Sequence, residues 1–262
     1  MTRATLLVLF AAFVAACGGD PARQGSQVEQ AVSQQAAAGD AQKRAKVHTE
    51  LGSMYLKDGR YAVALDEARI AVAADPGYAP AYNLQGLVHM YLNENRVAED
   101  NFARALRLAP GDPEINNNYG WFLCQTDRER ESMAYFQNAI RSPLYDTPGK
   151  PLTNAGLCSL RIKDDRAAED FLLRALRNDA ENVQALYWLA DINYRSNRFG
   201  EARLRMADLH KLIEPNSESL WLALRIERKA GDREAEARYA SQLRRKFPGS
   251  PEQQRLMQGQ YD

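Results

Sequence analysis

Residues 79–112 read APAYNLQGLVHMYLNENRVAEDNFARALRLAPGD, and this stretch decides the fold. Gly86 stands eighth in it, Ala98, Phe102 and Ala105 follow at places 20, 24 and 27, and Pro110 closes it at place 32. Thirty-four residues upstream, Gly52 takes the place of Gly86, followed by Tyr55, Gly59, Tyr61, Ala64, Ala71 and Pro76. Thirty-four downstream stands Gly120, followed by Phe136 and Ala139. Self-similarity at one fixed period is the mark of stacked supersecondary units. Small residues at places 8, 20 and 27 let two antiparallel helices approach closely, and bulky ones fill the space between them. Proline near the end stops the second helix, because it cannot continue the hydrogen-bond ladder. The period predicts six units, at 45–78, 79–112, 113–148, 149–182, 183–216 and 217–250. The third is two residues longer than the period, with the excess in 142–149. The fourth has Ala180 in place of its closing proline. The fifth and sixth keep Ala202 and Pro248 but carry Ala190 and Leu224 where glycine stood.

The spacing resembles the tetratricopeptide repeat. That resemblance implies an all-α, right-handed superhelix whose first helices line a concave groove through places 2, 5, 9, 12 and 13. Carried over place by place, the groove residues are Thr49, Ser53 and Leu56, then Asn83, Leu87, Met90 and Tyr91. Asn117, Trp121 and Gln125 follow, with Leu157 in the fourth repeat, Tyr187 and Tyr194 in the fifth and Trp221 in the sixth. Asn83 and Asn117 share place 5, where an amide can both donate to and accept from the backbone of an extended peptide.

Composition excludes several function classes. The chain has 34 basic and 34 acidic residues in 262, so it lacks the cationic excess that phosphate binding requires. No G-x-S-x-G, P-loop or H-E-x-x-H sequence occurs. His48, His89 and His210 fall in different repeats and read as ordinary helix residues. Asp164-Asp165 and Glu169-Asp170 read as solvated turn and helix charge. The expectation is a binding scaffold, with no catalytic residue, metal, nucleic acid or small-molecule substrate.

The ends differ from the body. Met1 to Cys17 read MTRATLLVLFAAFVAAC, with an apolar run from Ala4 to Ala16. A span needs ~20 apolar residues, so the run suits an export signal better than a membrane helix. Val14-Ala15-Ala16-Cys17 resembles a bacterial lipobox, which implies cleavage before Cys17 and an N-acyl diglyceride on it, with no other cofactor. Gly18 follows where aspartate would mark inner-membrane retention, so the resemblance implies an outer-membrane anchor on the periplasmic side. Residues 1–16 are thus expected as a signal peptide, 17–44 as a flexible tether and 251–262 as a C-terminal tail. Export also bears on Cys124 and Cys158, at places 12 and 10 of adjacent repeats. In an oxidising compartment they form either a bridge between stacked helices or two separately buried thiols.

Beyond the generic repeat, Asn117 to Cys124 (NNYGWFLC), the linker 142–151, Asn154 to Cys158 (NAGLC), and the stretches 219–227 and 243–250 resemble the PilF/PilW family. That resemblance covers essentially the whole chain after Cys17. It implies an outer-membrane lipoprotein of type IV pilus biogenesis and stability, whose partner is the pilus secretin and whose role is that secretin's localisation and multimerisation. The alternative is a periplasmic lipoprotein adaptor that docks peptidoglycan-remodelling or envelope-assembly proteins through the same groove.

Overall fold

The computed structural model describes residues 31–142, 145 and 148–261. The expected signal peptide, Cys17 and the first part of the expected tether lie outside the described residues. Thirteen α-helices follow a short 3-10 turn at Val32–Gln34, and no strand occurs among the described residues. Six antiparallel pairs make the body: α1 (Asp40–Lys57) with α2 (Tyr61–Ala74), α3 (Ala79–Tyr91) with α4 (Asn95–Leu108), and α5 (Pro113–Gln125) with α6 (Glu129–Ile140). Then come α7 (Gly149–Arg161) with α8 (Asp165–Asn178), α9 (Val183–Arg195) with α10 (Phe199–Leu212), and α11 (Ser217–Ala230) with α12 (Arg233–Lys246). A last helix, α13 (Pro251–Gln258), packs on α11 and α12. Each pair leans on the next, and successive first helices touch one another along one side. The product is an all-α solenoid.

Place 8 sets how near the two helices of a pair can come. A Cβ added at Gly86 would lie 2.8 Å from the Phe102 ring, and one at Gly120 would lie 3.0 Å from Phe136. At Gly156 it would meet Leu172 at 2.7 Å. The later repeats keep the sum of the two volumes and move it across the interface. Ala190 faces Met206, and Leu224 shares its cluster with Ala240, so large and small have changed sides in the sixth repeat. What looked like decay of the motif is volume conservation in a close-packed core.

Place 15 sets the turn between the two helices. Gly59, Asn93, Asp127, Lys163, Asn197 and Gly231 all have φ between 59° and 82°. This left-handed conformation ends each first helix and lets the chain reverse. Gly and Asn adopt it readily. Lys163 does so under strain.

Both ends depart from expectation. Within the expected tether Ala31 is fully buried, and α1 begins at Asp40 rather than at 45. Val32 packs into the cluster of Ala45, Ala71, Tyr78 and Ala81. The C-terminal tail is helical because the sixth repeat has no successor to cover it, and terminal solenoid units need a cap. Ser250 accepts from the Gln253 amide to start α13, and Leu256 seats against Trp221, Leu220 and Leu243.

Gly86→Leu alone is expected to destabilise the fold by about 1–3 kcal/mol, because the added side chain has no room beside Phe102. Gly86→Leu with Phe102→Ala, which copies the Leu224/Ala240 arrangement, is expected to recover most of that loss. Urea unfolding followed by circular dichroism measures both. An equal loss in the double variant would show that volume exchange is not what the sixth repeat does.

Candidate functional site: the concave groove

On a helix, places 2, 5, 6, 9 and 13 fall in one stripe, three or four residues apart. Repeated down α1, α3, α5, α7 and α9, that stripe makes a groove of four cavities with shared walls. The outermost, about 300 Å³, includes Thr49, Ser53, Asn83 and Leu87. Next is one of about 440 Å³ walled by Ser53, Leu56, Leu87, Met90, Tyr91 and Trp121, among others. Trp121 is also a wall of the third, about 750 Å³, with Gln125, Leu157, Leu160 and Trp188. A fourth, about 650 Å³, lies beside Tyr145, Lys150 and Asn154. Trp121 is therefore the partition between the two middle cavities.

Place 6 was not foreseen as part of the groove, and place 2, though expected, was not carried over to named residues. Place 6 supplies Asn118, Asn154 and Trp188, and place 2 supplies Glu114, Lys150 and Gln184. Helical periodicity alone contains that signal, since place 6 follows place 2 by one turn. Conversely, Tyr187, Tyr194 and Trp221 line none of these four cavities. Tyr187 is half-buried, edge-on to Trp188, and burial pushes its phenol up to about 12. Tyr194 is buried with the Arg225 guanidinium 4.5 Å above its ring. Trp221 is stacked on Tyr261, 5.7 Å between ring centres, under the C-terminal cap. Trp221 is core because a cap covers the face that a seventh repeat would have met, whereas Tyr194 is buried against α11 and Tyr187 is partly covered by the same cluster.

The asparagines are not free to hold a peptide either. Asn118 Nδ2 donates to Asn83 Oδ1 at 3.3 Å, and Asn117 Nδ2 donates to Asn118 Oδ1 at 3.2 Å. Asn154 Nδ2 donates to Asn117 Oδ1 at 2.9 Å. The four amides form a ladder that joins α3, α5 and α7 under the groove. Asn117 is fully buried, so its role is to fix the spacing of first helices. Thr49 is similarly turned inward, its hydroxyl donating to the Ala45 carbonyl within α1.

Cys124 and Cys158 are bonded to each other, with Cα atoms 5.9 Å apart and both side chains fully buried. The bridge ties α5 to α7 behind the wall that Trp121 and Leu157 present to the largest cavity. Ser132 Oγ lies 3.2 Å from Cys158 Sγ.

The N-terminal segment borders the groove. Asp112 caps α5, its Oδ1 accepting from the Glu114 and Ile115 amides at 2.9 Å. Its Oδ2 accepts from the Val32 amide at 2.5 Å. Ser33 Oγ donates to Glu114 Oε2 at 2.8 Å, and Ser33 is itself a wall of the outermost cavity. The segment thus runs as a strap from the third repeat back to the first. Burial pushes the Asp112 carboxyl above its usual range, opposed by the three amides that hold it.

The other titratable groups are scattered. His48 contacts Glu67, His89 contacts Glu94, and His210 sits beside Tyr239 with its pKa lowered by burial. Asp164 caps α8, Asp165 pairs with Arg195, and Glu169 pairs with Arg198. Among the described residues, no cluster of His, Cys, Asp and Glu could hold a metal.

The tetratricopeptide repeat family matches residues 83–146 and 165–212. Type IV pilus assembly protein PilF of Pseudomonas aeruginosa is 28% identical over 207 residues, which is 79% of this chain and 82% of PilF. The solved structure of PilF superposes with a TM-score of 0.77 at 27% identity, covering 84% of this chain and 99% of that one. PilW, described as a widely conserved type IV pilus biogenesis factor, is 32% identical with a TM-score of 0.74. The match spans 81% of this chain and 98% of PilW. The chain belongs to the PilF/PilW family. Its tetratricopeptide architecture is that of a protein-interaction scaffold.

Asp112→Asn separates the two duties of that carboxylate. The amide oxygen keeps the cap, while the amide nitrogen stands where Oδ2 accepted from Val32. Hydrogen exchange is expected to speed up at the Val32 amide with little change at Glu114 and Ile115; equal acceleration at all three would refute the strap. For the bridge, closing a loop of this length contributes about 3–4 kcal/mol, so reduction with dithiothreitol is expected to lower the urea midpoint. An unchanged midpoint would mean that the bond constrains nothing.

Proposed function

We propose that this chain is a type IV pilus assembly factor that works without catalysis, as a scaffold for the pilus secretin at the outer membrane. The observation that carries this is the match to PilW over 98% of that chain. Lipid on Cys17 would hold the solenoid at the periplasmic face of the membrane, since each buried CH₂ of an acyl chain contributes about 0.8 kcal/mol. Thirteen residues separate Cys17 from the buried Ala31, and the fourteen steps between them reach at most ~46–50 Å. Secretin subunits captured by the groove are then confined near the bilayer, and multimerisation follows from raised effective concentration. No bond is made or broken by the scaffold.

Deleting the gene is expected to leave secretin monomer present while the heat-labile multimer disappears from unheated membrane extracts on a denaturing gel. Restoring the wild-type gene is expected to restore the multimer. Normal multimer in the correct membrane would overturn the secretin role and favour the envelope-adaptor reading. Cys17→Ser is expected to give a chain that folds, by circular dichroism, but is lost from the outer-membrane fraction. Full secretin multimer in that strain would show that tethering does not matter.

A further inference from the structure

The two middle cavities meet at Trp121 and share a charge pattern that the fold itself does not explain. Their floor is apolar: Leu87, Met90, Trp121, Leu157 and Trp188. Two of their three acids are already paired with a cation. Asp165 and Asp191 both pair with Arg195, and Glu114 accepts from the strap's Ser33. Arg161 is likewise held, by Asp127 and Glu129. Lys57, Lys150 and Lys163 are different. All three are exposed, all three line these cavities, and none pairs with a carboxylate among the described residues. Their stretch is bounded upstream by Glu50, which lines only the outermost cavity.

Lys57 belongs to the first repeat, Lys150 to the fourth, and Lys163 to the turn that leads out of α7. The uncommitted cations are therefore spread along the groove's length with the aromatic floor between them. Lys163 also holds the left-handed position that Gly or Asn takes in four of the other five repeats. A cation stands there at a conformational cost that the turn does not require.

Resting on the reading of this groove as the partner site, we infer that its occupant is an extended protein segment with large apolar side chains flanked on both sides by Asp or Glu. The apolar residues seat against Trp121 and Trp188, where desolvated aromatic anchors supply most of the affinity. The acidic residues meet the lysines at the rim, which sets register and speeds encounter.

The test is to pan a display library of random peptides against the purified full chain, then measure soluble peptides made from the enriched sequences by fluorescence anisotropy. Enrichment of apolar residues between acidic ones is expected. Binding is expected to weaken about tenfold in a Lys57→Glu/Lys150→Glu/Lys163→Glu variant and to fall with added salt. Trp121→Ala is expected to weaken it without changing the salt dependence. All three lysines are exposed, so circular dichroism is expected to show an unchanged fold in the charge-reversed chain. Enriched peptides lacking acidic residues, binding indifferent to charge reversal, or no enrichment at all would each overturn the inference. A chain that selects such peptides while secretin multimers form normally in its absence would keep the groove's chemistry and refute only the pilus role.

Discussion

Two helices can share a core at short range only where one of them gives up a side chain, and this constraint runs through every repeat. Gly86 under the Phe102 ring leaves no room for even a Cβ, and Gly120 and Gly156 repeat the arrangement with Phe136 and Leu172. The apolar face of each pair is then too broad for that pair to cover, so it stacks on its neighbour, and stacking aligns the first helices. The groove is a by-product of that alignment. Its width follows from how near α3, α5 and α7 lie, and the ladder Asn83–Asn118–Asn117–Asn154 and the Cys124–Cys158 bridge fix that spacing from beneath.

The solenoid was legible because its signal is local and repeated. Five of the six first helices begin at the residue where the period places them, from Ala79 to Ser217. Much of the groove was legible for the same reason, since helical phase puts Leu56, Leu87, Met90, Trp121 and Leu157 on one stripe. What escaped was whatever depends on long-range contacts. Nothing in the pattern around Trp221 says that residues 251–261 fold back over it. Nothing near Val32 says that Asp112, eighty residues on, accepts its amide. The pairing of Asn117 with Asn154 is equally hidden, because an amide reads the same whether it faces a peptide or another amide.

Charge tells a similar story at finer grain. The formal net charge is zero, which excludes a bulk electrostatic partner but says nothing about distribution. Along the solenoid several arginines bridge to acids of the neighbouring repeat, as Arg128, Arg161, Arg195 and Arg198 do. Exposed pairs of this kind add little stability individually. In the groove, Arg195 ties up Asp165 and Asp191, while Lys57, Lys150 and Lys163, near the aromatic residues, pair with no carboxylate among the described residues.

The strap has a kinetic meaning. A solenoid whose contacts are all between neighbours can assemble one repeat at a time from any starting point. The Val32–Asp112 and Ser33–Glu114 contacts break that rule, because they join residues eighty and eighty-one apart. Closing so long a loop is slow and is rewarded only when both ends are in place. The first described residues of the chain are therefore among the last to settle. Their docking requires the first two repeats and the start of α5 to be in place, so the segment leading to the expected anchor settles against repeats already stacked.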